Sequence, residues 1–184
     1  MDGVIRTQVG YAGGTKKNPT YYNLGDHSET IEIEFDPQKV TYRQLIDIFW
    51  ESHEPTSRPF SRQYASMIFY HSDEQKRMAE ETKEQAEAKK GQKVYTEIIP
   101  ASTFYPAEDY HQKYYIRRYD GLVKELSTLY AGNSNFTKST AAAKVNGYLG
   151  GNGTLEELKN QLKNLDLSPE VIDRIIVLLR GTSR

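Results

Sequence analysis

The chain has 184 residues, 37% of them hydrophobic, and its 24 Lys and Arg nearly balance 25 Asp and Glu to leave a net charge of −1. That length fits one domain or a domain with an appendage, and the balanced charge argues against a polyanion partner, because nucleic-acid binders carry a basic excess that displaces counterions. There are no cysteines, which excludes disulfides, thiolate metal ligands and thiol nucleophiles among these residues.

The longest apolar run, Ile175 to Leu179, is far too short to cross a bilayer. Met1-Asp2-Gly3-Val4 has no basic segment leading into an apolar stretch, so no secretory signal is expected. The default is a soluble cytoplasmic protein with neither membrane nor nucleic acid as partner.

In chain order, Ile5 to Val9 reads as a strand and runs straight into Gly10-Tyr11-Ala12-Gly13-Gly14, a tight turn that calls for positive φ. The strand starts so close to Met1 that an upstream element is expected to be missing. Tyr21 and Tyr22 follow a turn at Asn18-Pro19-Thr20, and Glu29 stands beside His27 at the entrance of a second strand. A carboxyl at such an entrance is a candidate for burial in its protonated form. Thr30 to Phe35 alternates apolar and polar residues as on a half-buried sheet. Thr41-Tyr42-Arg43-Gln44 has the spacing of a capping box, opening a helix expected to carry Leu45, Ile48 and Phe49 on one face. Tyr64 precedes a third strand, Ser66 to Tyr70, whose Met67-Ile68-Phe69-Tyr70 is apolar throughout. Ser72-Asp73-Glu74-Gln75 is a second box, opening a helix with a solvated face that runs to Lys90 and is closed by Gly91. Tyr95 to Ile99 reads as a fourth strand, and Ala107 to about Arg118 as a helix.

From about Gly132 the texture changes. Gly132-Asn133-Ser134-Asn135 is loop-like, and Gly147, Gly150, Gly151 and Gly153 break the chain again. Thr154-Leu155-Glu156-Glu157 caps a short helix with Leu155, Leu158 and Leu162 in one stripe. Ser168-Pro169-Glu170 opens another, with Pro at the first helical position and Ile172, Ile175, Ile176 and Leu179 at core spacing. The expectation is an α+β fold over residues 1–132, a two-layer sandwich around a mixed β-sheet, with a C-terminal helical extension over 133–184 that covers the main domain.

Few residues advertise chemistry alone. His27, His53, His71 and His111 include no i, i+4 pair for a metal, and Glu108 with His111 is a single i, i+3 pair where a di-iron site needs two. No Gly-x-Ser-x-Gly turn supports acyl transfer, and Gly10 to Gly14 lacks the pattern of a phosphate-cradling loop. Fourteen tyrosines are many for this length. A phenol donates one hydrogen bond from a partly apolar wall, which suits a small polar group such as S=O or C=O.

Taken together and in order, several segments resemble the A class of peptide methionine sulfoxide reductases, over roughly residues 3 to 118. They are Val9-Gly10-Tyr11-Ala12-Gly13-Gly14, Asn18-Pro19-Thr20-Tyr21, His27-Ser28-Glu29-Thr30, Phe35-Asp36-Pro37, Phe49-Trp50, His53-Glu54-Pro55-Thr56, Gln63-Tyr64-Ala65-Ser66 and Ala107-Glu108-Asp109-Tyr110-His111-Gln112. The segment after about Asn135 resembles a C-terminal extension of one branch.

The resemblance implies thiol-dependent reduction of methionine S-sulfoxide, free or in proteins, as repair after oxidative stress. In that chemistry a cysteine thiolate attacks the sulfoxide sulfur, a glutamic acid and two tyrosines hydrogen-bond its oxygen, and a second thiol resolves the sulfenic acid. Thioredoxin or a dithiol then restores the enzyme, without a prosthetic cofactor or metal. By position, Glu29 matches the acid, Tyr21 one tyrosine and Tyr64 the other. The Gly-Cys-Phe-Trp-Gly segment that carries the nucleophile belongs upstream of Val4 and is absent together with its strand and helix, as is any resolving cysteine. The loop Ser57 to Arg62 is shorter than in most members, and no acid carries over there. A reductase relative that is inactive without the cysteine is therefore expected, with a non-catalytic binding or interaction protein as the alternative.

Overall fold

A computed structural model describes residues 1–165 and 167–182; Asp166, Ser183 and Arg184 of the expected extension lie outside the described residues. The strands are β1 (Val4–Ala12), β2 (Ser28–Phe35), β3 (Met67–Tyr70), β4 (Glu97–Pro100) and β5 (Tyr105–Pro106). The helices are α1 (Tyr42–Glu51), α2 (Asp73–Lys90), α3 (Tyr114–Arg117), α4 (Asp120–Leu129), α5 (Asn133–Thr137), α6 (Thr140–Leu149), α7 (Leu155–Leu162) and α8 (Pro169–Thr182). The α+β class holds. Antiparallel and parallel pairings both occur, in two small sheets: β2-β1-β5, where Gly10 faces Pro106 and Tyr11 faces Tyr105 in antiparallel register, and a parallel β3-β4 pair running from Met67 opposite Glu97 to Tyr70 opposite Pro100.

Contacts divide the chain into two compact units that do not follow chain order. One comprises Val9–Ile31 and Pro37–Ala107; the other comprises Met1–Gln8, Glu32–Asp36 and the chain from Glu108 onward. In the first unit, α1 and α2 pack with the β3-β4 sheet around Ile46, Ile68 and Ala79. The capping box at α1 is complete: Thr41 Oγ1 accepts from Gln44 N–H at 3.2 Å, and Gln44 Oε1 accepts from Thr41 N–H at 2.8 Å. Its buried face differs from the expected one. Ile46 is buried, with Tyr42, Phe49 and Trp50 packed beside it, while Ile48 is 47% exposed. Two overlapping faces of this helix share Phe49, and the one that adds Tyr42 and Trp50 buries more area.

At α2 the Ser72 hydroxyl accepts from Gln75 N–H, but the Gln75 side chain accepts from His71 N–H rather than from Ser72, so only half of the expected box forms. Gly91 closes the helix in the left-handed region at φ 63°, as expected. Ala79 and Thr82 are its buried positions, and the pair Arg77–Glu81 at 2.9 Å lies on its solvated face.

The second unit has a helical core. Buried residues from α3 (Ile116), α4 (Leu122, Leu126), α5 (Phe136), α6 (Ala142, Val145, Leu149), α7 (Leu158, Leu162) and α8 (Val171, Ile175, Leu179) form one cluster. The stripe expected on α7 points into it, as do Ile172, Ile175 and Leu179 of the stripe expected on α8, while Val171 rather than Ile176 joins them; Thr154 and Glu157 form a complete capping box. Two expectations fail here. Gly132 to Asn135 is not a plain loop, because α5 starts at Asn133 and buries Phe136, and Gly147 lies inside α6. A glycine in a helix costs about 1 kcal/mol against alanine, which burial of Ala142, Val145 and Leu149 on the same helix exceeds. The helix expected from Ala107 to Arg118 is also broken, into a 3-10 turn at Asp109–His111 and α3, with Lys113 between them at φ 55°. That backbone turn delivers the Lys113 ammonium to Thr7, where it donates to the carbonyl at 2.5 Å and to Oγ1 at 2.9 Å. The α3 start is capped from a distance: Asn146 Oδ1 accepts from the N–H groups of Tyr115 and Ile116.

Candidate functional site

The turn after β1 is shaped by its glycines. Gly13 sits at φ 82°, and a Cβ on Gly14 would come within 2.6 Å of both Asp26 Oδ1 and His27 N. Close approach lets the dipeptide Asp26-His27 fasten the opposite limb. The Asp26 carboxylate accepts from Thr15 N–H at 2.8 and 2.9 Å, from Thr15 Oγ1 at 2.9 Å and from Lys16 N–H at 3.2 Å. The bonds from Thr15 hold its pKa down at about 2. His27 is 1% exposed, and its ring meets the same limb twice: Nδ1 accepts from Gly14 N–H at 3.2 Å and Nε2 donates to the Lys16 carbonyl at 2.8 Å.

This fastened turn carries Tyr21, which packs beside the cluster of Tyr11, Leu24 and Ala107 and meets the Tyr22 ring edge to face at 5.4 Å. On the far side of the turn β2 begins, and its first residues bind the 3-10 turn Arg62–Tyr64. The buried Ser28 hydroxyl donates to the Arg62 carbonyl at 2.5 Å, and Glu29 Oε1 accepts from Gln63 Nε2 at 2.7 Å. Arg62 in turn pairs with Glu97 at 2.7 Å. Two bonds from adjacent residues therefore fix Tyr64 relative to Glu29.

Tyr21 and Tyr64 meet, and Glu29 lies within electrostatic reach of Tyr21. The Tyr21 phenol has a raised pKa, chiefly through the charge Tyr64 would carry and next through Glu29, and it is hydrogen-bonded to the Tyr64 side chain. A raised pKa keeps that phenol a donor well past neutrality. Glu29 takes the exposed position usual for a carboxylate in Glu-x-Glu alternation rather than a buried one, and Tyr64 is 56% exposed. Glu29 falls on the outward side of β2, where its neighbour Ser28 takes the inward position. The result is a surface cluster of two hydroxyls and a carboxyl. An open depression of about 460 Å³ lined by Glu87, Gly91, Gln92 and Lys93 shares none of these residues.

A second polar chain stands behind Tyr64. His53 Nδ1 donates to the Phe49 carbonyl at 2.8 Å, and its Nε2 accepts from Ser66 Oγ, which is bonded to Thr96 Oγ1 at 2.8 Å. Among the described residues no three His, Asp or Glu side chains gather as metal ligands, and no helix is long and apolar enough to cross a membrane. Sequence reasoning missed Gln63, Ser28 and Asp26 as the residues that set the site. Gln63 lies next to Tyr64, but an exposed glutamine has no signal of its own. Histidine spacing examined only for metals passes over His27.

A family model described as peptide methionine sulfoxide reductase matches residues 1–152. The peptide methionine sulfoxide reductase of Drosophila melanogaster is 43% identical over 169 residues, which cover 91% of this chain and 68% of the fly protein. Peptide methionine sulfoxide reductase A5 of rice, Oryza sativa subsp. japonica, is 41% identical over 154 residues, 80% of this chain and 60% of the rice protein. The chain thus spans about three-fifths to two-thirds of these relatives' length. In three dimensions it resembles the crystal structure of reduced Mxr1 from Saccharomyces cerevisiae, with a TM-score of 0.59 and 30% identity over 65% of this chain and 74% of that one. It also resembles methionine sulfoxide reductase A of Corynebacterium diphtheriae, with a TM-score of 0.55 and 32% identity over 64% and 65%.

Proposed function

The chain belongs to the peptide methionine sulfoxide reductase family, and we propose that it holds the oxygen of a methionine S-sulfoxide, free or in a protein, among Tyr21, Tyr64 and Glu29. The observation that carries this reading is the Tyr21 phenol hydrogen-bonded to Tyr64 with the Glu29 charge within reach of it. Two phenols are donors that an S=O oxygen takes up as its bond to sulfur breaks, with the Glu29 carboxyl beside them.

In the family reaction a thiol takes the oxygen from the sulfoxide, giving a thioether and a sulfenic acid. A second thiol condenses with the sulfenic acid, releasing water and leaving a disulfide, which reduced thioredoxin or a dithiol opens. The part this chain plays is to bind and orient. It supplies no thiol, since its 184 residues contain no cysteine, and neither a phenol nor a carboxylate replaces a thiolate as the nucleophile toward sulfur. Thioredoxin belongs to this reading as the reductant of the family reaction, and the cytoplasm as the compartment. The lack of cysteine favours a second reading as well, a non-catalytic relative that binds oxidised methionine or another protein.

The two phenol donors contribute about 1 kcal/mol each at best, no more than the cost of immobilising a small ligand, so a Kd of about 1 mM or weaker is expected. An NMR titration with a blocked methionine S-sulfoxide is expected to shift signals centred on Tyr21, Glu29 and Tyr64, with no methionine formed in dithiothreitol. Shifts scattered over the surface, or an equal response to the R epimer, would sink the sulfoxide reading. Turnover above a buffer blank would sink the claim that cysteine is indispensable.

A further inference from the structure

We propose that His27 is the positioning residue of this site, holding the turn that carries Tyr21 through its neutral, Nε2-protonated tautomer; the proposal rests on the sulfoxide reading of Tyr21, Glu29 and Tyr64. A nitrogen that accepts from a backbone N–H must present its lone pair. Nδ1 accepts from Gly14, so the ring proton sits on Nε2, where it donates to the Lys16 carbonyl. Gly14 and Lys16 flank Thr15, which is held by the residue immediately before His27. The imidazole edge also rests against the Tyr105 ring, at 5.5 Å and 81°. Two residues further on is Glu29. One short rigid segment, Asp26 to Glu29, therefore sets the turn of Tyr21 on one side and the carboxyl on the other.

The same geometry makes the fastening depend on one proton. A second proton, on Nδ1, sets a ring N–H against the Gly14 N–H in a buried place. Two donors then face each other, and the turn has to open. The charged groups about the ring are the Asp26 carboxylate, kept ionised by a pKa of about 2, and the Lys16 ammonium, hydrogen-bonded to Asn23. The ammonium has no lone pair for Nδ1–H, and the Asp26 oxygens are engaged by Thr15 and the Lys16 N–H.

The test uses the full chain with 15N-labelled histidine. The neutral His27 ring is expected to show a lone-pair nitrogen at Nδ1 and a protonated one at Nε2. On acidification the Gly14 amide and the Tyr21 ring signals are expected to move with the imidazole's own midpoint. The affinity for the blocked S-sulfoxide should weaken about tenfold over the same step, the loss of one buried hydrogen bond. His27→Asn keeps an oxygen acceptor for Gly14 that does not titrate, so it is expected to keep the Tyr21 signals and lose the pH step. His27→Ala is expected to displace Tyr21 at every pH. An Nδ1-protonated tautomer, a Tyr21 signal indifferent to the imidazole, or a pH step surviving in His27→Asn would overturn the positioning role. If Gly14 and Tyr21 follow His27 but no sulfoxide binds, the positioning stands and the substrate reading falls.

Discussion

Thirteen buried residues between Ile116 and Leu179 form one continuous cluster in the helical unit, whereas the unit carrying Tyr21, Glu29 and Tyr64 has two clusters of three. The site-bearing unit compensates with polar fastenings: Asp26 and His27 on the turn, Ser28 and Gln63 on the Arg62–Tyr64 segment, and the His53–Ser66–Thr96 chain. A face that offers hydroxyls and a carboxyl to a ligand cannot be wrapped in apolar side chains. Its geometry has to come from directional bonds, each with a small net contribution, while the helical unit draws on non-directional burial at about 25 cal/mol per Å². One region supplies stability and the other supplies placement.

The largest effect should follow from cutting the helical cluster. Ile175→Ala or Leu126→Ala removes a side chain that is wholly buried and is expected to cost ~2–5 kcal/mol, read as a lower urea midpoint with an unchanged slope. Leu24→Ala in the small cluster of the other unit should cost less, because Leu24 is 8% exposed and has few apolar neighbours. Equal losses at Leu24 and Leu126 would break the comparison.

Lys113 is the exception within the helical unit, a buried ammonium held by Thr7. Burial lowers its pKa from the ordinary 10.5 to about 8. Between those values the unfolded chain binds the proton and the folded chain does not, so stability rises as pH increases from about 8 to 10.5 and is lost again as pH falls through about 8. The expected rise is on the order of 3 kcal/mol. Comparing unfolding curves of the natural chain and Lys113→Met across that window isolates it, and parallel pH profiles for the two would refute the buried-charge account.

Features whose partners lie close in sequence could be read before the structure: the box at Thr41 and Gln44, the box at Thr154 and Glu157, and Gly91. Those decided at long range could not. The α3 cap is Asn146 on α6, α4 begins after Tyr119 with no side-chain cap, and the break at Lys113 follows from Thr7. At the site, resemblance pointed to Tyr21, Glu29 and Tyr64. Their placement depends on Ser28 reaching Arg62 and Glu29 reaching Gln63, bonds that no periodicity encodes. A strand entrance leaves either side open to Glu29, and Ser28 takes the inward one.

A single fastening bond should give a smaller effect than either change in the helical unit. Ser28→Ala removes one of two donors to the Arg62 carbonyl, which keeps the Ala65 N–H, and is expected to cost about 1 kcal/mol of stability. Its signature should be local: faster exchange of the Tyr64 amide and a weaker response of Tyr64 to the S-sulfoxide, with the Ile175 and Leu126 signals unmoved. A spread of shifts through the helical cluster would mean that placement and stability are not separable in this way.

The smallest effect lies in one titration. Tyr21 ionises above the ordinary 10.0, with Tyr64 the first cause and Glu29 the second. Tyr64→Phe keeps the ring but removes the oxygen that would share negative charge with Tyr21, so the Tyr21 pKa should fall toward 10 while Glu29 still holds it up. Glu29→Gln should lower it by less. Because the folded value is raised, the stability this group contributes is fully present below about pH 10 and is lost as pH rises through the folded value. Tyrosine labelled at the phenolic carbon allows both variants to be followed by NMR against pH. Ile175→Ala, which weakens the helical cluster, should leave the titration where it was. If Glu29→Gln moved Tyr21 further than Tyr64→Phe, the carboxyl rather than the second phenol would be its nearest electrostatic neighbour, and an oxygen bound there would meet Glu29 before Tyr64.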